Sequence, residues 1–219
     1  MSLKEVLAQV GKAKVLAVSK LQPPEKIREL YLEGQRLFGE NYAQEALEKM
    51  EILADLPDIE WHLIGHLQRN KAKLIIGKFH LIHSVDTLEL AEVLNKLALD
   101  KGIRQNVLIQ VNLAMEETKS GFNKVNFEVA WPKLIQLQGL KIMGLMTMPP
   151  LTEDGVEARP FFRELHELRA RLRTTTDPYL HPLTELSMGT SGDYMAAVAE
   201  GATIVRLGTI LFGEREPKR

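Results

Sequence analysis

The chain has 219 residues, 45% of them hydrophobic, a formal net charge of -1 and no cysteine. That length supports one sizeable core, so a single domain over residues 1–219 is expected. Charges of both signs are interleaved, which argues against nucleic acid or a membrane surface as partner; the lack of cysteine excludes disulfides, thiolate metal sites and a catalytic thiol.

Met1-Ser-Leu-Lys-Glu-Val-Leu reads as a short amphipathic helix and not as a signal segment. No apolar run approaches the ~18–20 residues of a membrane span, and a cytoplasmic location is expected. Short β-rich apolar runs then recur at residues 15–18, 36–38, 61–64, 81–84, 107–111, 142–146, 184–187 and 204–207. Helical spacing lies between them, at 24–32, 43–53, 88–99 and 159–172. Asp86-Thr-Leu-Glu89 predicts a capping box with Asp86 as the cap. Gly34, Gly102 and Gly201 each close a helical pattern before a new apolar run. Eight alternating units predict an α/β protein, a closed (β/α)8 TIM barrel in preference to an open doubly wound sheet. Residues 149–155 and 174–182 read as mobile loops, and Arg163, Arg169, Arg171 and Arg173 as a solvated helix face.

In such barrels the chemistry sits just after the strands. Lys20, closing Val15-Leu-Ala-Val-Ser-Lys20, would emerge from a buried strand, and a desolvated lysine more readily supplies the neutral amine that attacks an aldehyde. Taken alone, it reads far more readily as a lysine leaving a strand for solvent, because most lysines are surface residues; the rest of the rim changes that balance. Asn41, in Gly39-Glu-Asn41-Tyr, is either a ligand donor or a helix cap. His62 and His66 are four apart, but Gly65 intervenes and no third ligand is evident, so packing or pocket lining is expected and no metal. Near the C-terminus, Leu186-Ser-Met-Gly-Thr190-Ser-Gly-Asp193 and Val205-Arg206-Leu-Gly208-Thr209 combine close-approach glycines, hydroxyls and a cation. Together they read as a phosphate cradle where these barrels commonly build one, although each segment alone reads equally as a plain glycine turn. Neither a dinucleotide fingerprint nor a nucleotide P-loop is present, so the phosphate belongs to a smaller ligand. Met143, Met146 and Met148 read as core or pocket lining.

Several strings in order carry a resemblance: Val18-Ser-Lys20, Phe38-Gly-Glu-Asn41, Trp61-His-Leu-Ile-Gly65 with Leu67-Gln68, Gly144-Leu-Met, Leu186-Ser-Met-Gly189, and Val205-Arg-Leu-Gly-Thr209 with Phe212-Gly213. Together they resemble the pyridoxal phosphate homeostasis protein family, whose barrel is of the fold-type III, alanine-racemase-like kind. One departure is Thr190, where that family usually has methionine. The resemblance implies pyridoxal 5′-phosphate (PLP) held as a Schiff base on Lys20, with Arg206 facing the pyridine nitrogen. Ser187, Gly208 and Thr209 would surround the phosphate, with Asn41 and Ser191 as further contacts. It further implies a carrier acting in vitamin B6 and amino-acid homeostasis, without assigned catalytic residues. PLP-dependent apoenzymes would be the recipients, and a monomer is expected. Two alternatives stay open at this point: a PLP-dependent amino-acid racemase, for which Tyr42 is the one rim tyrosine worth keeping as a second acid/base, and a phosphosugar lyase using Lys20.

Overall fold

Runs rich in Val, Leu and Ile form strands when apolar neighbours cover both faces, as in a parallel sheet wrapped by helices. All eight predicted runs do so: β1 (Lys14–Val18), β2 (Leu37–Glu40), β3 (Glu60–Leu63), β4 (Leu81–Val85), β5 (Gln105–Gln110), β6 (Leu140–Met146), β7 (Glu185–Ser187) and β8 (Ile204–Leu207). Each pairs in parallel with the next, and β8 returns to β1 to close the barrel. The structure, a computed structural model, describes residues 1–114, 119–150 and 155–213.

The helices are α1 (Leu3–Val10), α2 (Pro24–Leu32), α3 (Ala43–Ile52), α4 (Ala72–Ile75, entered through a 3-10 turn at Arg69–Lys71), α5 (Leu88–Asp100), α6 (Lys124–Leu134), α7 (Arg159–Arg173), α8 (Tyr194–Ala199) and α9 (Thr209–Phe212). Ser2 caps α1 in a full capping box with Glu5. Among the described residues no helix is long and apolar enough to cross a membrane.

Strand alternation splits the core in two. Val15, Ala17, Ile82 and Val107 face the helices in the large outer cluster, whereas Leu16, Leu81, Leu108, Met146 and Ile204 form a separate cluster inside the barrel. Each of these buried leucines contributes about 2 kcal/mol by leaving water. Met143 packs against the inner cluster and Met148 borders the cleft described below, as expected of lining residues.

Several local expectations need correction. The cap of α5 is Thr87, whose side chain accepts from the Leu90 N–H at 3.2 Å; Asp86 is thereby left for a different partner. β2 runs on to Glu40 because its backbone stays in the ladder, the Glu40 carbonyl accepting from the Ile64 N–H at 2.9 Å, while its carboxyl is buried, which periodicity does not reveal. Residues 174–182 are tied down: Thr176 and His181 are buried, and His181 accepts from the Ile142 N–H at 3.1 Å and donates to the Ile135 carbonyl at 2.9 Å. Of the other predicted loop, residues 151–154 lie outside the described residues. The arginine face is solvated as expected at Arg163, Arg171 and Arg173; Arg169 alone of the four is partly buried, donating to the Thr184 carbonyl. Helix α6 escaped the periodicity because it carries Pro132 and little amphipathic contrast.

Candidate functional site

A buried polar knot fixes the chain on either side of Lys20. Ser19 Oγ donates to Glu40 Oε1 at 2.6 Å, and Lys49 Nζ, on α3, donates to the Ser19 carbonyl, Glu40 Oε1 and Glu45 Oε1 at 2.6, 2.8 and 2.6 Å. The Leu21 N–H donates to Glu45 Oε1 at 2.6 Å, and Leu21 has a φ of 60°, a backbone state uncommon for leucine. Burial pushes the Glu40 carboxyl above its usual range, with the Lys49 and Ser19 contacts pulling the other way. Sequence reasoning missed this knot, because a lysine on a helix is usually solvated. The available signal was position: Lys49 lies three residues after Ala46, on the buried stripe of α3.

Lys20, Asn41, Ser191, Arg206, Gly208 and Thr209 all border one cleft of about 460 Å³ at the carboxyl ends of the strands. Strands β1, β2 and β8 deliver the first, second and fourth of these; the turn after β7 and the first turn of α9 deliver the others. In the β7 turn, Asp193 Oδ1 accepts from the Thr190 N–H and hydroxyl, shaping the loop that carries Ser191 and Gly192. Gly189 has a φ of 89°, and a Cβ there would stand 2.5 Å from the Ala197 Cβ, so the turn can pass α8 this closely only with glycine. In α9 the leading N–H groups have no intrahelical acceptor, a geometry suited to an anion.

Ser187 stands apart from the other six. It is fully buried below the cleft and is not among its lining residues. Its Oγ accepts from Arg206 Nη1 at 2.7 Å and meets His83 Nδ1 at 2.9 Å; His83 Nε2 in turn meets His62 Nδ1 at 2.9 Å. A polar file thus crosses the apolar barrel interior. Desolvation holds His62 down at about 3 and His83 well below the usual histidine range, so both are neutral at physiological pH. Arg206 is 4% exposed and also donates to the Thr147 carbonyl at 2.9 Å. Burial pushes its guanidinium down to about 10, which leaves it charged at neutral pH. Among the described residues it forms no ion pair.

Asn41 does not cap α3; that position is Tyr42, without a side-chain cap. Its Oδ1 is buried without a hydrogen-bond partner among the described residues. Gly65 makes the position possible, since a Cβ there would fall 2.1 Å from the Asn41 carbonyl oxygen. Among the described residues no tyrosine borders the Lys20 cleft: Tyr42 lines the adjoining one, Tyr31 stacks under Arg36, Tyr194 bonds Gln9 and Tyr179 is exposed. His62 and His66 do not form a pair. His62 is inside the barrel, and His66 Nδ1 reaches Asp86 Oδ2 on the rim at 2.8 Å.

Comparison with known proteins agrees with this architecture. Residues 2–216 match the model of the alanine racemase N-terminal domain family. The pyridoxal phosphate homeostasis protein of Aquifex aeolicus is 49% identical over 204 residues, 93% of this chain and 88% of that protein. PipY of Synechococcus elongatus, in a structure with PLP bound, superposes with a TM-score of 0.89 at 42% identity, covering 96% of this chain and 98% of that one. Alanine racemase from Bartonella henselae shares the barrel alone, with a TM-score of 0.75 at 18% identity over 97% of this chain and 57% of the racemase. With its closed barrel, its strand-end lysine and these relatives, the chain belongs to the pyridoxal phosphate homeostasis protein family, within the wider alanine racemase N-terminal domain family.

Proposed function

We propose that this protein holds PLP as a Schiff base on Lys20 and acts in intracellular vitamin B6 and amino-acid homeostasis as a carrier, without substantial turnover. The observation that carries the reading is one cleft uniting Lys20 with the buried, carboxylate-free guanidinium of Arg206 and two hydroxyl-bearing turns. That donor set suits a small phosphorylated aldehyde: an amine for the carbonyl, and Ser191, Gly208 and Thr209 with turn N–H groups for the phosphate. The orphaned Asn41 Oδ1 supplies a further polar contact. Ser187 serves by holding Arg206 from beneath.

When bound, PLP supplies an aldehyde and an electron-accepting ring. Arg206, were it to face the ring nitrogen, would keep its own proton and so would leave the ring a weaker electron sink. Two-base racemisation also requires an acid/base group opposite the lysine, and the tyrosines do not border the cleft. Both points favour a carrier over a racemase. The proposal further takes PLP-dependent apoenzymes as recipients, a monomeric state and a cytoplasmic location.

The test is the absorbance spectrum of the protein with added PLP, compared with Lys20→Ala, followed by borohydride reduction and peptide mapping. A visible band lost in the variant and a reduced adduct on Lys20 support the reading. No band, or an adduct on another lysine, overturns it. Repeated turnover of deuterium into the α-carbon of an amino acid would overturn the carrier half alone.

A further inference from the structure

At the opposite, amino-terminal mouth of the barrel three side chains converge that the cleft does not use. Glu60 opens β3, His62 follows two residues later on the same strand face, and His80 immediately precedes β4. One donor atom from each lies within 4.8 Å of the others. His80 Nε2 is 3.5 Å from Glu60 Oε2, and the two imidazoles stack with centroids 5.6 Å apart. The telling atom is His62 Nε2, which is buried with no hydrogen-bond partner among the described residues while Nδ1 of the same ring is engaged by His83. A buried polar atom left unpaired is costly and calls for an explanation.

We propose that Glu60, His62 and His80 form a binding site for a divalent transition-metal ion of the zinc type. Two imidazoles and one carboxylate are the nitrogen and oxygen set such ions favour; magnesium and calcium prefer oxygen alone. Metal–ligand bonds of about 2.0–2.2 Å in tetrahedral array place donors roughly 3.3–3.5 Å apart, leaving the fourth position to water. The side chains of Glu60 and His80 are 44% and 51% exposed, so they can rotate inward on the fixed, buried His62. His83 completes the arrangement as the group that orients the ligand from behind. Lys14, the cation whose charge reaches His62, is held by Glu185 at 2.7 Å.

An ion taking the Nε2 lone pair of His62 leaves that ring's proton on Nδ1, donated to His83 Nε2. His83 must then carry its proton on Nδ1, donated to Ser187 Oγ, which also accepts from Arg206. The serine proton is released to point elsewhere. Occupancy at one mouth therefore fixes the tautomers of the file that supports Arg206 at the other.

The experiment titrates the tag-free, chelator-treated full chain with Co²⁺, read by its visible absorption, and with Zn²⁺ by calorimetry, in wild type, His80→Ala, Glu60→Gln and Lys20→Ala. The first two variants alter partly exposed side chains, and thermal unfolding checks that each is folded. Expected is one ion per chain with a micromolar or tighter Zn²⁺ Kd, weakened by roughly tenfold or more in both mouth variants, the order lost when one ligand contact goes. Lys20→Ala should bind as wild type, which separates this proposal from the PLP reading. No binding below about 1 mM, or an unchanged Kd in His80→Ala and Glu60→Gln, overturns it.

Discussion

Each end of the barrel carries a lysine bound to a glutamate, in opposite surroundings. At the carboxyl end Lys49 lies against Glu40 with side-chain exposures of 6% and 0%, inside the knot that holds the backbone flanking Lys20. At the amino end Lys14 meets Glu185 with exposures of 54% and 12%. The contacts are of similar length, 2.8 and 2.7 Å. What differs is the desolvation each ion has suffered, and that decides what loss of a partner costs. The carboxyl end, which holds the candidate cleft, thus buries both ions of its pair, while at the amino end Lys14 keeps about half of its side chain in water.

The sharpest way to break this contrast is Lys49→Met. Removing the cation strands the Glu40 carboxyl and should destabilise the protein by about 3–5 kcal/mol, read by urea unfolding. PLP affinity should fall with it, since the Ser19 carbonyl loses its donor; full retention of both would show the knot to be incidental.

Next comes Arg206→Met. An unpaired buried guanidinium is a poor contributor to stability, so the PLP-free protein should stay within about 1 kcal/mol of wild type. PLP binding, measured by spectral titration, should weaken on the order of 100-fold through loss of a buried charged contact. A large stability loss with intact binding would reverse the roles assigned here.

A smaller effect follows from the histidine file. The folded protein holds His62 at about 3 against 6.5 for a free histidine, and His83 is depressed likewise. Below 6.5 the unfolded chain takes up protons that the folded one refuses, so stability is complete above 6.5 and declines as pH falls toward 3. Each imidazole should contribute a slope of about 1.4 kcal/mol per pH unit in that window. Urea midpoints in chelator-containing buffer between about pH 7 and about pH 5 check this; a flat profile would mean that the file is protonated or hydrated. The smallest change belongs to Lys14→Ala, expected to cost less than about 1 kcal/mol and to leave PLP binding as it was.

The chain's alternation of apolar runs with helical spacing determined much by itself. It located eight strands, closed them into a barrel and placed Lys20, Asn41, Ser191, Arg206, Gly208 and Thr209 at strand ends, where a barrel of this kind gathers them in one cleft. These properties are local: a period of two, a glycine before a strand, a polar residue just after one. Tertiary structure alone decided how the buried polar groups are paired. Ser187 has the composition of a phosphate ligand, yet it lies beneath Arg206 and on His83, a residue 104 positions away. Glu40 and Lys49 are ordinary in their segments, and Asp86 turns from expected cap to partner of His66. Such pairings depend on which strands become neighbours when the barrel closes. Burial then selects partners by geometry across the chain, where nearest-neighbour patterns hold no information.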